Sequence, residues 1–297
     1  MRIYGLVAFI ICLRLEILNS FIIANRLAPR NRLDPSLGLK MFNDANRDST
    51  TPTEEVQSRS NDEVIYYDIP KSIRALNKQI VSISKDFLVA FYGERTIARF
   101  YALETIARVP YFSYTSVLHL YETIGNFRQK EFIKLHFEES WNELHHLLIM
   151  EELGGDKEFG DRFMAQHIAF FYYWVVVVLY AFSPATAYHL NQCVEEHAFA
   201  TYTEYLQQNE MYLRSQPAPK VALEYYGKDV LFSDSNSSVN SDPVSLHDSE
   251  IPIINRPEKI ESLYDVFVNI RADEATHART MKSLQAQMTL LNRGKVY

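Results

Sequence analysis

Cysteine is almost missing from this chain. Its 297 residues hold two, Cys12 and Cys193, and no Cys-x-x-Cys pair. Zinc ribbons, cysteine-held iron–sulfur clusters and a disulfide framework are thereby excluded, and Cys193 reads as a small apolar core residue. Glycine is scarce, 9 in all, and no long alternation of apolar and polar residues occurs, which leaves helices rather than strands. A basic excess is absent as well. The net charge of −7 argues against nucleic acid as a partner, though not against a membrane surface, where apolar area alone drives binding. Beyond the N-terminal segment, no apolar run reaches the roughly 20 residues that cross a bilayer. The longest, residues 168–182, reads as a helix buried within a bundle and stopped by Pro184.

What the chain does have is hydrophobic material, 47% of its residues and enough for a sizeable core, together with one short pattern in two copies. Glu143-Leu144-His145-His146 and Glu274-Ala275-Thr276-His277 each set a Glu and a His three apart, on one face of a helix. Glu104 and Glu195 lie on helical stretches of their own. One Glu from each of two helices, with Glu-x-x-His from each of two others, is the ligand inventory of a dinuclear carboxylate site in a four-helix bundle. A buried carboxylate without a partner is strongly disfavoured, and a metal ion removes that penalty. Two ferric ions carry six positive charges, which four glutamates and bridging oxygen species nearly neutralise. Zinc prefers fewer ligands and more nitrogen or sulfur, so mixed carboxylate and imidazole ligation points to iron. A lone Glu-x-x-His is commonly a solvated helix face; two copies with two further acids on apolar helices reverse that reading.

Along the chain, residues 1–61 read as a targeting leader and a disordered linker, with an apolar start and then a stretch rich in Arg, Asn, Asp, Ser and Pro. An organelle address and a plain secretory signal both fit. The domain is expected over residues 62–297. Helices are expected at 73–81, at 85–121 with a bend at Pro110, at 128–153 ending on Gly154-Gly155, at 159–183, at 184–209 and at 260–291. A polar loop without helical period is expected at about 226–257.

Leu103-Glu104-Thr105, Asn142-Glu143-Leu144-His145-His146, Glu195-Glu196-His197-Ala198 and Arg271-Ala272-Asp273-Glu274-Ala275-Thr276-His277 resemble the alternative oxidase family. The string at 139–155, with Arg108-Val109-Pro110-Tyr111-Phe112 and residues 165–169 and 264–271, is similar to the plastid terminal oxidase branch of that family. The resemblance spans about residues 85–282 and leaves out the leader and the Ser/Asn-rich loop.

The resemblance implies an all-α fold: a ferritin-like di-iron four-helix bundle with additional short helices, interfacial and monotopic on a membrane. It implies a plastoquinol:oxygen oxidoreductase that reduces dioxygen to water without pumping protons. Two iron ions per subunit would be held by Glu104, Glu143, His146, Glu195, Glu274 and His277. Tyr202, in register with Glu195, matches a family tyrosine near the iron. Arg99, Leu103, Ala198 and Thr201 match positions near the quinol slot. Asn142 and Asp273, each directly before a metal-binding Glu, are expected as outer partners of the site, with His119 in the same network. His145 and His197 are expected to pack or to line a polar face. Tyr101, Phe112, Tyr114, Val117, Leu118 and Tyr121 are expected to leave the first long helix apolar on more than one side, suiting membrane contact. The expected partners are plastoquinol, dioxygen, a membrane surface and a second copy of the chain, and the expected place is the plastid thylakoid membrane. Three other readings fit the same ligands: a ubiquinol oxidase of the mitochondrial inner membrane, a ferritin-like iron-binding protein and a quinone-modifying hydroxylase.

Overall fold

The computed structural model describes residues 69–123, 128–227, 254–257 and 259–292. Among them every regular element is a helix. The leader, the first residues of the expected domain and most of the polar loop lie outside the described residues.

Helix α1 (Lys71–Tyr92) follows Pro70 and stops at Gly93, whose φ of 54° a side chain would disfavour. Helices α2 (Thr96–Ala107) and α3 (Val109–Thr123) meet at Arg108. The expected helices at 73–81 and 85–121 are therefore redrawn as three. The break falls at Gly93, and Pro110 sits in the first turn of α3, where its missing N–H removes no helical bond. Helix α4 (Lys130–Glu152) closes in a Schellman turn. Gly155 N–H donates to Met150 O and Gly154 N–H to Glu151 O, both at 2.8 Å, with Gly154 at φ 86°.

Helix α5 (Phe159–Phe182) leads through Ser183 into α6 (Pro184–Ser215), which is interrupted at Asn209 by φ −123° and ψ 19°. Helix α7 (Lys220–Gly227) has no counterpart among the expected elements. It is too short to show a period, and a remote side chain starts it: Glu152 accepts the backbone N–H of Lys220 and of Val221, both at 2.9 Å. Helix α8 (Leu263–Asn292) opens with Asp265 Oδ2 accepting the Ser262 N–H at 2.9 Å.

Helices α6 and α8 form the most extensive helix pair, α2 and α3 pack on α4 and α5, and α1 lies on α6. Two aromatic clusters fill the interior. Phe100, Tyr202 and Phe267 meet in one, and Tyr111, Tyr114, Tyr180 and Tyr188 in the other.

Two expectations about apolar surface are overturned. The run at 168–182 is not buried within the bundle: Phe170, Phe171, Trp174, Val175 and Val178 of α5 are exposed. Its inward stripe is narrow, Ala169, Val176 and Tyr180, and the apolar sequence continues around the other side. By length and composition α5 is able to cross a membrane. Conversely, Tyr101, Tyr114, Val117 and Leu118 are core residues, with Phe112 and Tyr121 half-buried. Ile80, Ile83, Phe87 and Val89 of α1 take the exposed role instead.

Candidate metal centre

Four helices contribute: Glu104 from α2, Glu143 and His146 from α4, Glu195 from α6, Glu274 and His277 from α8. The spacing of three on α4 and on α8 keeps each Glu and His on one face. All six side chains are buried, and the four carboxylates are fully so. His146 Nδ1 stands 3.1 Å from Glu274 Oε1 and 3.6 Å from Glu104 Oε2, and His277 Nδ1 stands 2.7 Å from Glu143 Oε1.

The six fall into two donor sets, Glu104, Glu143, His146 and Glu274, and Glu143, Glu195, Glu274 and His277. Within each set the donor atoms lie within 4.8 Å of one another. Glu143 and Glu274 belong to both sets, whereas Glu104 and His146 belong to the first alone and Glu195 and His277 to the second alone.

The fit to cations rests on orphaned atoms. Glu104 Oε2, both oxygens of Glu143, His146 Nδ1, Glu195 Oε2, both oxygens of Glu274 and His277 Nδ1 are buried without a hydrogen-bond partner among the described residues. Buried polar groups are ordinarily paired, and a pair of cations would satisfy all of these at once. Burial, then the charge of neighbouring carboxylates, pushes the Glu143 and Glu274 carboxyls well above their ordinary range in the metal-free cluster. This buried Glu/His cluster is therefore able to bind metal.

The surrounding groups orient the donors. The Tyr202 hydroxyl donates to Glu104 Oε1, and the Tyr111 hydroxyl donates to Glu195 Oε1 at 2.6 Å. Asp273 Oδ2 faces His146 Nε2 at 3.0 Å and accepts from Asn142 Nδ2 at 3.1 Å and from the Tyr226 hydroxyl at 2.7 Å. Its other oxygen accepts from Arg256 Nη2. Burial alone would raise the Asp273 carboxyl, but the Arg256 charge and the contact with His146 outweigh it and hold the group far below the usual range. An ionised Asp273 favours the His146 tautomer with its proton on Nε2, so that Nδ1 is free to face the other carboxylates.

Arg99, Leu103 and Thr201 line a cavity of about 280 Å³ together with Leu88, Phe100 and His197. Ala198 is buried and is not part of its wall. His145 stacks on Tyr225 with ring centres 4.0 Å apart. His119 does not join the network: it is exposed on α3 and pairs with Glu122 at 3.3 Å.

Tyr111, Tyr226 and Arg256 carry no role in the sequence reading. Tyr111 lies inside a quoted motif but offers no spacing signal of its own. Tyr226 and Arg256 sit in sequence without helical period. Glu139, one turn before Glu143, is also buried, and its carboxyl is raised by that burial to about 8. It stands 3.7 Å from His136 Nδ1, and His136 Nε2 continues to the Tyr188 hydroxyl at 2.9 Å.

A model of the family described as Alternative oxidase matches residues 43–286. The chloroplastic/chromoplastic ubiquinol oxidase 4 of Arabidopsis thaliana is 52% identical over 199 residues, which is 67% of this chain and 54% of the relative. The mitochondrial ubiquinol oxidase 2 of Glycine max is 30% identical over 76% of this chain and 60% of the relative. The mitochondrial ubiquinol oxidase of Mangifera indica is 31% identical over 63% and 50%. The match spans between half and three fifths of these relatives' own length. With the family model matched over most of its length and the paired Glu/His sets in its core, this chain belongs to the alternative oxidase family.

Proposed function

We propose that this chain is a quinol:oxygen oxidoreductase with two iron ions in the Glu/His cluster and plastoquinol as its reductant. The observation that carries the reading is the pair of buried donor sets sharing Glu143 and Glu274, with their unpartnered oxygens and nitrogens. When bound, the iron pair supplies the four-electron reduction of dioxygen to water, with two quinols oxidised to two quinones.

The chain's own residues do the rest. Glu104, His146, Glu195, His277 and the two residues common to both sets, Glu143 and Glu274, would hold the ions. Arg99 is half-buried in the wall of the cavity beside Leu103 and Thr201, placed to donate a hydrogen bond to a quinol oxygen. Leu103 gives the ring an apolar wall. The Tyr202 phenol, hydrogen-bonded to Glu104, is placed to supply a proton and an electron together, both of which quinol would restore. Packing at Phe100 and Phe267 keeps water from that phenol.

A membrane-surface placement belongs to the same proposal, without proton pumping. It is supported by the exposed apolar side chains of α1 and α5. Helix α5 packs on α2, α3 and α6, and its Asp161 is tied to Arg95 at 3.0 Å; this favours lying on the bundle over leaving it to span the bilayer. A homodimer is proposed with it, supported by apolar side chains elsewhere that the single chain leaves exposed, Leu120, Phe137 and Met211 among them. The plastid thylakoid is favoured over the mitochondrial inner membrane by the 52% identity to a chloroplastic relative against 30% to a mitochondrial one.

The test is oxygen uptake by the purified protein with plastoquinol and with ubiquinol, in the presence of cyanide, with iron measured alongside. Cyanide-insensitive uptake faster with plastoquinol is the expected result. Faster uptake with ubiquinol transfers the reading to the mitochondrial type, and iron binding without uptake leaves an iron-binding protein.

A further inference from the structure

We infer that Arg256 is a positioning residue of the metal centre, acting on His146 through Asp273. The inference rests on the proposed metal-binding reading of the cluster.

Arg256 lies outside the four ligand-bearing helices, in the short segment before α8. The chain leaves α7 just after Tyr226 and is described again from residue 254. Tyr226 from the first side and Arg256 from the second both end on the Asp273 carboxylate. Their work there is divided. Oδ2 is engaged by His146 Nε2, Asn142 Nδ2 and the Tyr226 hydroxyl. Oδ1 has Arg256. Asn142 and Tyr226 are neutral donors, so among the described residues the cation that meets Asp273 from outside the cluster is the Arg256 guanidinium. That guanidinium also reaches back to Asn269 O with Nη1 at 3.5 Å, one turn earlier on α8.

Without Arg256, Asp273 Oδ1 would lose its donor among the described residues, and the buried carboxylate would lose the larger part of its counter-charge and keep only His146, a costly arrangement. Rotating the carboxylate relieves it and takes the acceptor away from His146 Nε2. The imidazole then loses the contact that aims Nδ1 at the other carboxylates. Outer partners of this type are typically worth about 10- to 100-fold in metal affinity. A lysine would restore the charge but not the planar, two-pronged contact with Asp273 and Asn269.

The experiment reconstitutes wild-type, Arg256→Gln, Arg256→Lys, Asp273→Asn and the Arg256→Gln/Asp273→Asn double variant with ferrous iron without oxygen. Iron per subunit is then read against rising chelator concentration, with thermal unfolding and quinol kinetics alongside. Arg256→Gln is expected to lose iron at about 10- to 100-fold lower chelator, with Arg256→Lys between it and wild type and KM for quinol unchanged. The double variant should lose iron no more easily than Asp273→Asn alone, because the arginine acts through that carboxylate. An additive loss in the double variant overturns the inference. So does Arg256→Gln that melts earlier yet holds iron as wild type does, which would make Arg256 a structural clip. Should Arg256→Gln not fold, Arg256→Lys against wild type decides, and equal retention overturns. A wild-type chain that takes up no iron overturns the metal reading itself, before any variant is compared.

Discussion

The Tyr202 hydroxyl donates its hydrogen bond to Glu104 Oε1 across 98 residues of chain. The phenol is fully buried between Phe100 and Phe267, with ring centres 4.5 and 5.5 Å away, so packing fixes where its oxygen points. Tyr202→Phe keeps the ring and removes that oxygen. Iron content should stay as in wild type, while kcat falls by about 10- to 100-fold and KM for quinol holds. Oxygen uptake and metal analysis on the same sample check this; unchanged kcat removes Tyr202 from the reaction.

Glu143 belongs to both donor sets, whereas Glu195 belongs to one. Glu143→Ala should therefore abolish iron binding and quinol oxidation together. Glu195→Ala should leave the other set intact and retain about half the wild-type iron. Iron per subunit distinguishes the two, and full oxidase activity in an iron-free Glu143→Ala protein would rule the scheme out.

The metal-free chain should lose stability as pH rises. The folded Glu143 and Glu274 carboxyls lie well above their ordinary 4.5, and Glu139 is raised to about 8. The fold then holds more protons than the unfolded chain above about pH 4.5, so stability present below that pH drains away as these groups ionise. Bound iron would replace the protons at Glu143 and Glu274. The gap in melting temperature between loaded and chelated protein should widen from pH 5 to pH 8, and a constant gap would refute it.

Phe170 and Trp174 are exposed on α5. Phe170→Asp with Trp174→Asp should release the protein from lipid vesicles while iron content is unchanged. Flotation with vesicles measures the first and metal analysis the second.

A Cβ on Gly155 would stand 2.7 Å from Tyr101 Cβ and 2.8 Å from Ile97 O. Both neighbours belong to α2, whose backbone cannot yield without moving Glu104. Gly155→Ala should destabilise the fold by about 1–3 kcal/mol, read from denaturant unfolding of the chelated protein.

Much of this arrangement is legible in the sequence, and the parts that are not share a cause. The two Glu-x-x-His copies give the register on α4 and α8, because a spacing of three is enough to define a face. Gly154-Gly155 marks the end of α4 because the turn there needs a residue at positive φ. Helix α7 escapes notice because its N-terminus is satisfied by Glu152 rather than by a neighbour in sequence. Arg256 and Tyr226 escape because their partner, Asp273, is remote and no periodicity links them. The 168–182 run misleads because apolar composition does not say which side of a helix meets the protein. His119 misleads because it sits on the outward side of α3.

The distribution of the six candidate donors over α2, α4, α6 and α8 also sets the order in which they are made during synthesis. Glu274 and His277 emerge from the ribosome last, so Glu104, Glu143 and Glu195 must wait as three acids without a complete cage. A shortened product ending before α8 would lack two of the six candidate donors, Glu274 and His277, and with Glu274 would leave both donor sets incomplete. Neither candidate set is therefore complete until the last helix of the described residues has been made.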